Sequence, residues 1–311
     1  MAKKLRGILT VPYTAFDEKT EEIDEGRMRE HIHFLVDKGI HNFCILGSSG
    51  SYAYMSFEER KRIIDLFMKE TPSRIPIVVG STATRLKDVL MMVQYAKDAG
   101  AAGVMVSPTY YFDTHEPELY RYYGEVASID IPIVIYNIPL TTGHDMSPEF
   151  LVKLARDFPN IQYVKESAAD WKRYIRMLTL QRHDKELALT PICGWEEFAF
   201  DVFAIGLEAW ICGCSNIMPD ECVKLWELMV EKKDFKAGRD LWLNRIAPII
   251  GMLDGWAMGV ELPYNYHTIA ETALRILGRG LGPSRKPLYV DAVTKQHKEA
   301  IRKLLDDCGY L

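Results

Sequence analysis

The chain alternates short, wholly apolar runs with longer segments in which apolar and polar positions are mixed. The apolar runs are rich in valine and isoleucine and recur roughly every 20 to 35 residues. A run that is apolar at successive positions is typical of a strand covered on both faces. We therefore predict eight buried β-strands, at residues 7–11, 43–46, 75–79, 103–106, 131–136, 161–165, 188–193 and 209–213.

The segments between these runs have the spacing of amphipathic helices. Residues 24–38 place apolar side chains on one helical face. Residues 56–69 begin Ser-Phe-Glu-Glu, which has the form of a capping box. Ser147 precedes Pro148, as an N-cap precedes a proline at the first helical position. Strands that alternate with helices in this way predict βαβ units and a parallel sheet.

Eight such units predict an α/β fold, a closed (β/α)8 TIM barrel. An open doubly wound sheet is the alternative, but it usually has a glycine-rich fingerprint after its first strand, and residues 11–16 (VPYTAF) contain none. After about residue 219 the pattern is helical only, at residues 219–230, 234–253, 264–277 and 291–307, with no convincing strand. We therefore expect a barrel over residues 1–225 and a C-terminal helical extension, packed on it, over 226–311.

Composition narrows the function classes. The chain has 311 residues, of which 48% are hydrophobic and 26% charged, and its net charge is -5. This balance gives no reason to expect a nucleic-acid partner or an anionic membrane surface. No apolar segment is long enough to span a membrane, and the apolar run near the start is too short for a signal peptide. We expect a cytoplasmic protein with a small-molecule substrate.

The six cysteines are expected to be reduced core thiols, since disulfides are rare in a cytosolic chain of this size. Cys212 and Cys214, with Cys193, raise the question of a metal site. Two thiols one residue apart on a strand share one face, however, and no matching set of histidines accompanies them. We therefore predict no metal ligands.

In a (β/α)8 barrel, functional groups gather where the strands end. Strand two is followed by a small-residue loop in which Gly47 and Gly50 flank Ser48 and Ser49. Such a loop can turn its N–H groups inward and bind an oxyanion. It lacks the lysine of a phosphate-binding loop, so a carboxylate is the better ligand. The same glycines also suit a plain tight turn.

Strand six ends on Lys165, although a lysine is costly to bury. Its amine either reaches solvent or pairs with Glu166, or it is desolvated for its chemistry. Burial lowers a lysine pKa, and a neutral amine can attack a carbonyl to form a Schiff base. Tyr136, at the end of strand five, is either a packing residue or the group that moves the protons this reaction needs.

Four motifs in order carry a family resemblance: GSSG after strand two, PTYY after strand four, YNIP with a following TG after strand five, and VKES at strand six. This combination resembles the dihydrodipicolinate synthase / N-acetylneuraminate lyase family of pyruvate-dependent class I lyases. The resemblance runs from Gly7 to about Leu311. It implies that Lys165 forms the Schiff base with pyruvate or another 2-oxo acid, that Tyr136 relays protons above it, and that no cofactor is used.

The resemblance also assigns the carboxylate site and the assembly. Ser48 and Ser49, in the loop that begins at Gly47, would bind the carboxylate of the 2-oxo acid. A tyrosine from a neighbouring subunit would complete a relay with the Ser49 hydroxyl. That tyrosine is Tyr110 or Tyr111, and the spacing does not decide between them. The family implies a homotetramer built from tight dimers.

Two departures from the family bear on the substrate. Where the family's loop reads Gly-x-x-Gly-Glu, the fifth position here is Ser51. Where dihydrodipicolinate synthases have an arginine, five residues after the relay tyrosine, this chain has Thr141. A hydroxyl does not replace a guanidinium that binds a carboxylate. Thr141 is therefore kept in the substrate-binding set, but lysine biosynthesis is disfavoured.

The loop after strand seven points to a sugar acid. The sialic-acid lyase branch has Gly-x-Asp-Glu there, and this chain has Gly194, Trp195, Glu196 and Glu197. Two carboxylates can accept hydrogen bonds from sugar hydroxyls, although acids are also favoured at any helix N-terminus. Cys214, at the end of strand eight, completes the predicted substrate-binding set.

These features predict a Schiff-base lyase, an aldolase or a dehydratase, that acts on a 2-oxo-3-deoxy sugar acid with pyruvate as product or donor. The first alternative is a dihydrodipicolinate synthase-type condensation of pyruvate with an aldehyde. The second is a non-catalytic sensor that binds a 2-oxo acid. The same iminium serves cleavage and dehydration, so the sequence leaves the reaction, its direction and the second substrate open.

Overall fold

A computed structural model describes residues 4–257, 259–288 and 293–311. Eight parallel strands, each joined to the next in chain order, close into a barrel in which β1 pairs with β8. The predicted (β/α)8 barrel is confirmed, with every strand at its predicted place. The strands are β1 (Gly7–Thr10), β2 (Asn42–Ile45), β3 (Ile77–Gly80), β4 (Gly103–Val106), β5 (Ile133–Asn137), β6 (Ile161–Glu166), β7 (Thr190–Cys193) and β8 (Ala209–Cys212).

Alternation along the strands divides the core into two layers. Side chains that point inward, such as Val78, Val134 and Ile192, form a cluster inside the barrel. Their neighbours in sequence point outward and pack under the helices in a second, larger cluster. This arrangement follows from the period of two along a strand. It explains why these strands are apolar at successive positions.

The helices begin and end where the sequence indicates. Ser56 and Glu59 form the predicted capping box, with the Ser56 N–H donating to Glu59 Oε2 at 2.7 Å. Ser147 Oγ accepts from the Phe150 N–H at 3.1 Å, ahead of Pro148. The helices are α1 (Glu25–Asp37), α2 (Phe57–Glu70), α3 (Leu86–Asp98), α4 (Glu116–Ala127), α5 (Pro139–Thr142), α6 (Pro148–Asp157), α7 (Trp171–His183), α8 (Ala199–Ala204), α9 (Pro219–Trp226), α10 (Phe235–Leu241), α11 (Ala247–Leu253), α12 (Tyr266–Ile276) and α13 (Lys295–Asp307).

The C-terminal extension is helical, as predicted, with π-helical turns at Glu227–Glu231 and Trp242–Ile246. The prediction that it contains no strand was wrong. Trp256–Ala257 and Val260–Glu261 form a short antiparallel hairpin. Two residues per strand are too few to show an alternating pattern in the sequence. The predicted start of the last helix, residue 291, lies outside the described residues, and α13 begins at Lys295.

The extension reaches the end of the barrel at which the strands terminate. The ring of Tyr266, on α12, lies 6.0 Å from that of Tyr13, which follows β1. A Cβ atom placed on Gly213, after β8, would collide with the Tyr266 hydroxyl. No helix in the described part of the chain is long and apolar enough to cross a membrane.

Candidate active site

A cavity of about 320 Å³ opens at the C-terminal ends of the strands. Its wall contains seven of the residues predicted to form the site: Ser48, Ser49, Tyr136, Lys165, Gly194, Glu196 and Glu197. The extension adds three residues that the sequence analysis missed: Asp254, Tyr266 and His267. A wider surface groove of about 810 Å³ crosses α2, α3 and α4, but none of the strand-end residues lines it.

Lys165 points into the barrel. Its side chain is 7% exposed, and its Nζ lies 4.1 Å from the centroid of the Tyr136 ring. The pairing of β5 with β6 sets Tyr136 directly opposite Lys165, so the strand register itself brings the two together. The amine is buried, so it does not extend into bulk solvent. It does not pair with Glu166 either, because successive side chains of a strand face opposite sides.

Glu166 instead takes part in a polar network behind the barrel wall. It forms an ion pair with Arg173 at 3.0 Å and accepts from Asn137 Nδ2 at 2.9 Å. Arg173 also pairs with Asp145 at 2.9 Å, and the Tyr174 hydroxyl donates to the Glu166 carbonyl at 2.7 Å. This network ties the ends of β5 and β6 to α7 and fixes Tyr136 and Lys165 from outside.

The expected depression of the Lys165 pKa was wrong in direction. Burial does lower the pKa of this amine, but the Tyr136 phenol, the Cys44 thiol and the Glu196 carboxyl outweigh it, and the net shift is upward. These groups favour the charged amine when they carry negative charge themselves. With its pKa raised above the ordinary value, the Lys165 amine is an ammonium at neutral pH.

The serine loop after β2 is a tight turn with two free donors. The Gly50 N–H donates to the Gly47 carbonyl at 3.0 Å, and the Ser51 N–H donates to the Ser48 carbonyl at 2.9 Å. Among the described residues, no backbone carbonyl accepts from the N–H groups of Ser48 and Ser49. Both serines line the cavity. The loop can thus present two amides and two hydroxyls to an anion beside the ammonium of Lys165.

The other residues of this loop do not line the cavity and serve to hold the loop's backbone in place. Gly47 lies outside the cavity wall, and a Cβ atom there would come within 2.7 Å of Val11. Ser51, at the position of the family's glutamate, is buried in a left-handed conformation with φ 59°. The Thr14 hydroxyl anchors the turn by donating to the Gly50 carbonyl at 2.8 Å.

Glu196 lies in the helical turn Glu196–Phe198 that follows β7. Its Oε1 accepts from the N–H groups of Gly213 at 2.6 Å and Cys214 at 3.1 Å, which joins this turn to the end of β8. Burial, with the neighbouring Cys212 thiol, raises the pKa of Glu196 to about 7 in spite of those two donors. A carboxyl with such a pKa can give or take a proton at neutral pH.

Four further predicted residues lie elsewhere. Thr141, on α5, is exposed and does not line the cavity. Cys214 is fully buried and does not line the cavity, although its backbone N–H donates to a cavity residue, Glu196, at 3.1 Å. Tyr110 is half-buried near Tyr52, and it adds to the effect of burial, which raises the pKa of Tyr52. Tyr111 is 77% exposed. Within one chain, the structure thus gives neither tyrosine a place in the cavity.

The six cysteines are free and buried, as expected. The structure gathers Cys212 and Cys214 with Cys222 of α9, not with Cys193, and the three sulfur atoms lie within 4.8 Å of one another. This is the group in the described part of the chain that could hold a metal ion. Structural zinc sites have four ligands, and no fourth histidine, cysteine or carboxylate joins this group among the described residues.

The three residues from the extension have no signal that could have been read from the sequence. Asp254 follows α11, and Tyr266 and His267 open α12, so they belong to segments whose pattern predicts only packing helices. Their place at the cavity depends on how α11 and α12 fold back over the ends of the strands. The end of a strand can be predicted from the sequence, whereas the packing of α11 and α12 over the barrel cannot.

A closed (β/α)8 barrel with a buried lysine at the end of its sixth strand, opposite a tyrosine on the fifth, defines the class of lyases that form a Schiff base. Comparison with known proteins identifies the family within this class. The model of the dihydrodipicolinate synthetase family matches residues 4–307, and the chain belongs to this family.

Individual relatives agree with this assignment. The chain is 29% identical over 286 residues to a 4-hydroxy-tetrahydrodipicolinate synthase of Methanospirillum hungatei, covering 92% of each chain. It is 34% identical over 221 residues to the synthase of Thermus thermophilus, covering 70% of this chain and 72% of the relative. The crystal structure of dihydrodipicolinate synthase from Aquifex aeolicus superposes with a TM-score of 0.84 at 25% identity, covering 97% of both chains.

Proposed function

We propose that this pyruvate-dependent class I lyase cleaves or dehydrates a 2-oxo-3-deoxy sugar acid. The observation that carries the proposal is the set of side chains in the cavity wall. Lys165, Tyr136 and the serine loop suit a 2-oxo acid. The wall also contains Glu196 and Glu197, and no arginine or second lysine of the described residues lines it.

Lys165, Tyr136 and the serine loop account for the amine chemistry. The Lys165 ammonium and the free donors of Ser48 and Ser49 attract the substrate carboxylate. Once the ammonium has passed on one proton, the amine attacks the C2 carbonyl, and loss of water gives an iminium. The C4 hydroxyl gives up its proton, the C3–C4 bond breaks as its electron pair moves to the iminium, and the C4 fragment leaves as an aldehyde. The remaining enamine takes a proton at C3, and hydrolysis then releases pyruvate and the free amine. Tyr136, beside the amine, moves the protons of these steps.

Glu196 and Glu197 account for the preference for a sugar acid over an aldehyde that carries a carboxylate. Carboxyl groups accept hydrogen bonds from hydroxyls, so they suit a polyhydroxy chain. They repel a carboxylate in a partly dry site. The aldehyde that a dihydrodipicolinate synthase condenses with pyruvate carries a carboxylate, and Thr141, at the position of the arginine that binds it, is exposed outside the cavity.

The second candidate is the condensation itself. The curated relatives of Methanospirillum hungatei and Thermus thermophilus are named 4-hydroxy-tetrahydrodipicolinate synthases. This candidate shares the Lys165 chemistry and differs only in the second substrate. It requires a cation in the cavity that binds the aldehyde's carboxylate.

A homotetramer of tight dimers is part of the proposal. Tyr111 packs edge-on against Phe112 with ring centroids 4.9 Å apart, and the two side chains are 77% and 75% exposed. Exposed aromatic pairs of this kind mark interaction surfaces. We assign Tyr111 rather than Tyr110 as the tyrosine that crosses to the neighbour. Tyr111→Ala should shift the assembly toward smaller species in sedimentation velocity and lower kcat, while Tyr54→Ala, another exposed tyrosine, should do neither.

The deciding experiment is borohydride trapping with pyruvate, followed by intact mass and peptide mapping. We expect a reduced adduct on Lys165 of the wild type, none on Lys165→Ala, and an unchanged adduct on the exposed-lysine control Lys172→Ala. Turnover is then compared between 2-oxo-3-deoxyhexonates and aspartate semialdehyde with pyruvate. Preference for the semialdehyde would establish the synthase instead. An adduct without turnover of either would indicate a sensor, and no adduct would refute the amine chemistry.

A further inference from the structure

A second pair of side chains meets in the cavity, across the boundary between the barrel and the extension. Glu197 lies in the turn after β7, and Asp254 immediately follows α11. Their carboxyl groups lie within hydrogen-bonding reach of each other, and both line the cavity. The sequence separates them by more than fifty residues, so only the fold brings them together.

Two carboxyl groups can form a hydrogen bond only if they share a proton. Partial burial, together with the hydrogen bond and charge of Glu197, raises the pKa of Asp254 to about 7. Near neutral pH the pair therefore holds one proton for part of the time. In that state it offers a hydrogen-bond donor and several acceptor positions side by side, which matches the needs of neighbouring hydroxyl groups.

Other residues of the cavity wall also present polar groups. The Tyr266 hydroxyl is buried at the cavity, close enough to the Tyr13 hydroxyl for the two to interact. Burial lowers the pKa of His267 to about 4, so this ring is neutral. Glu196 is the remaining acid of the wall, which Lys165 and Tyr136 also line. Hydroxyl, imidazole and carboxyl groups together suit a polar, uncharged occupant.

We propose that Asp254 and Glu197 together bind the hydroxyl groups at the distal end of the sugar acid, the end away from its C2 carbonyl, and that they discriminate against a substrate that ends in a second carboxylate. Asp254 is thus a specificity-determining residue contributed by the C-terminal extension. The inference rests on the proposed function, since it names the recognition element of the same site.

The test compares two substrates of equal length, a 2-oxo-3-deoxyhexonate that ends in a hydroxyl and the corresponding diacid that ends in a carboxylate. Asp254→Ala should raise KM for the hydroxyl-ended substrate by about 10-fold to 100-fold, the usual effect of losing hydrogen bonds to a charged group. Its kcat should stay within about 3-fold, because the amine chemistry is untouched. Glu261→Ala, an exposed acid of the neighbouring hairpin, is the matched control and should resemble the wild type.

The conservative variant supplies a readout that a merely structural role would not move. As pH rises through about 7, the wild-type pair gains a second negative charge, so KM for the diacid should rise. Asp254→Asn keeps a donor and an acceptor but carries no charge. It should restore most of the affinity for the hydroxyl-ended substrate, accept the diacid better than the wild type does, and reduce this pH dependence to the part that Glu196, whose pKa is also about 7, contributes.

The outcomes separate this inference from the proposed function. If pyruvate traps on Lys165 but Asp254→Ala behaves like Glu261→Ala with both substrates, the inference is overturned and the amine chemistry stands. Turnover of neither sugar acid by a wild type that traps pyruvate also overturns it. Failure of the wild type to trap pyruvate counts against the proposed function, since trapping does not depend on Asp254.

Discussion

The ends of the barrel strands and the C-terminal extension serve the same cavity in different ways. Tyr136 and Lys165 are placed by a strand register whose backbone hydrogen bonds leave little freedom. Asp254 and Tyr266 are placed by helices that pack over the mouth. The proposed amine chemistry, which requires tight positioning, therefore lies on the paired strands, and the proposed recognition of the distal part of the substrate lies on the added helical segment. The comparison predicts that barrel substitutions lower kcat and extension substitutions raise KM.

The largest effect is expected at Lys165. Lys165→Ala removes the nucleophile, and kcat should fall by at least about 10⁴-fold, because no Schiff base can form. Steady-state turnover of the sugar acid measures this, with Lys172→Ala as the control. Residual activity above about a hundredth of wild type would mean that the reaction does not pass through this amine.

Tyr136→Phe should lower kcat by about 10²-fold to 10⁴-fold while the pyruvate adduct still forms on Lys165. The reason is that proton transfer is lost but the amine remains. The control is Tyr163→Phe, since Tyr163 points into the same barrel two residues before Lys165 and its hydroxyl only accepts from the Leu5 N–H at 3.2 Å. Equal kinetic effects of the two substitutions would remove Tyr136 from the proton relay.

Arg173→Ala should separate stability from chemistry. It leaves Glu166, which is 1% exposed, without its ion-pair partner. Breaking a buried pair in this way lowers the free energy of unfolding by about 3–5 kcal/mol. Urea unfolding followed by circular dichroism measures the loss, and Arg176→Ala, whose partner Glu149 is exposed, is the control at within about 1 kcal/mol. A loss as small as that of the control would show that the network does not hold β5 and β6.

The smallest effect is expected at Glu196, where the two regions meet. The folded-state pKa is raised to about 7, so between pH 4.5 and 7 the folded protein binds more protons than the unfolded chain. This group therefore lowers the stability progressively as pH rises through that range. Glu196→Gln cannot titrate, and its urea midpoint should fall less than that of the wild type between pH 5 and pH 8. Parallel decreases would show that Glu196 titrates normally.

Much of the site could be predicted because its signals are local. An apolar run that ends on a lysine, a loop of glycines and serines, and a tyrosine at the end of the neighbouring run are all visible without a structure. The rule that functional groups gather at strand ends then brings them to one mouth. Seven of the predicted residues do line one cavity. Thr141 was assigned by its position in the family's motif and Cys214 by its position at the end of strand eight, and neither position fixes where a side chain points.

The sequence by itself determined the eight strands and the helices between them, because these depend on periodicity and on alternation along a strand. Only the tertiary structure decided the upward shift of the Lys165 pKa, which results from Tyr136, Cys44 and Glu196. Only the tertiary structure brought Asp254 close to Glu197, and only it brought Cys222 close to Cys212 and Cys214. Electrostatic interactions and packing act through space between residues that are distant in the chain, and a sequence pattern records only neighbours.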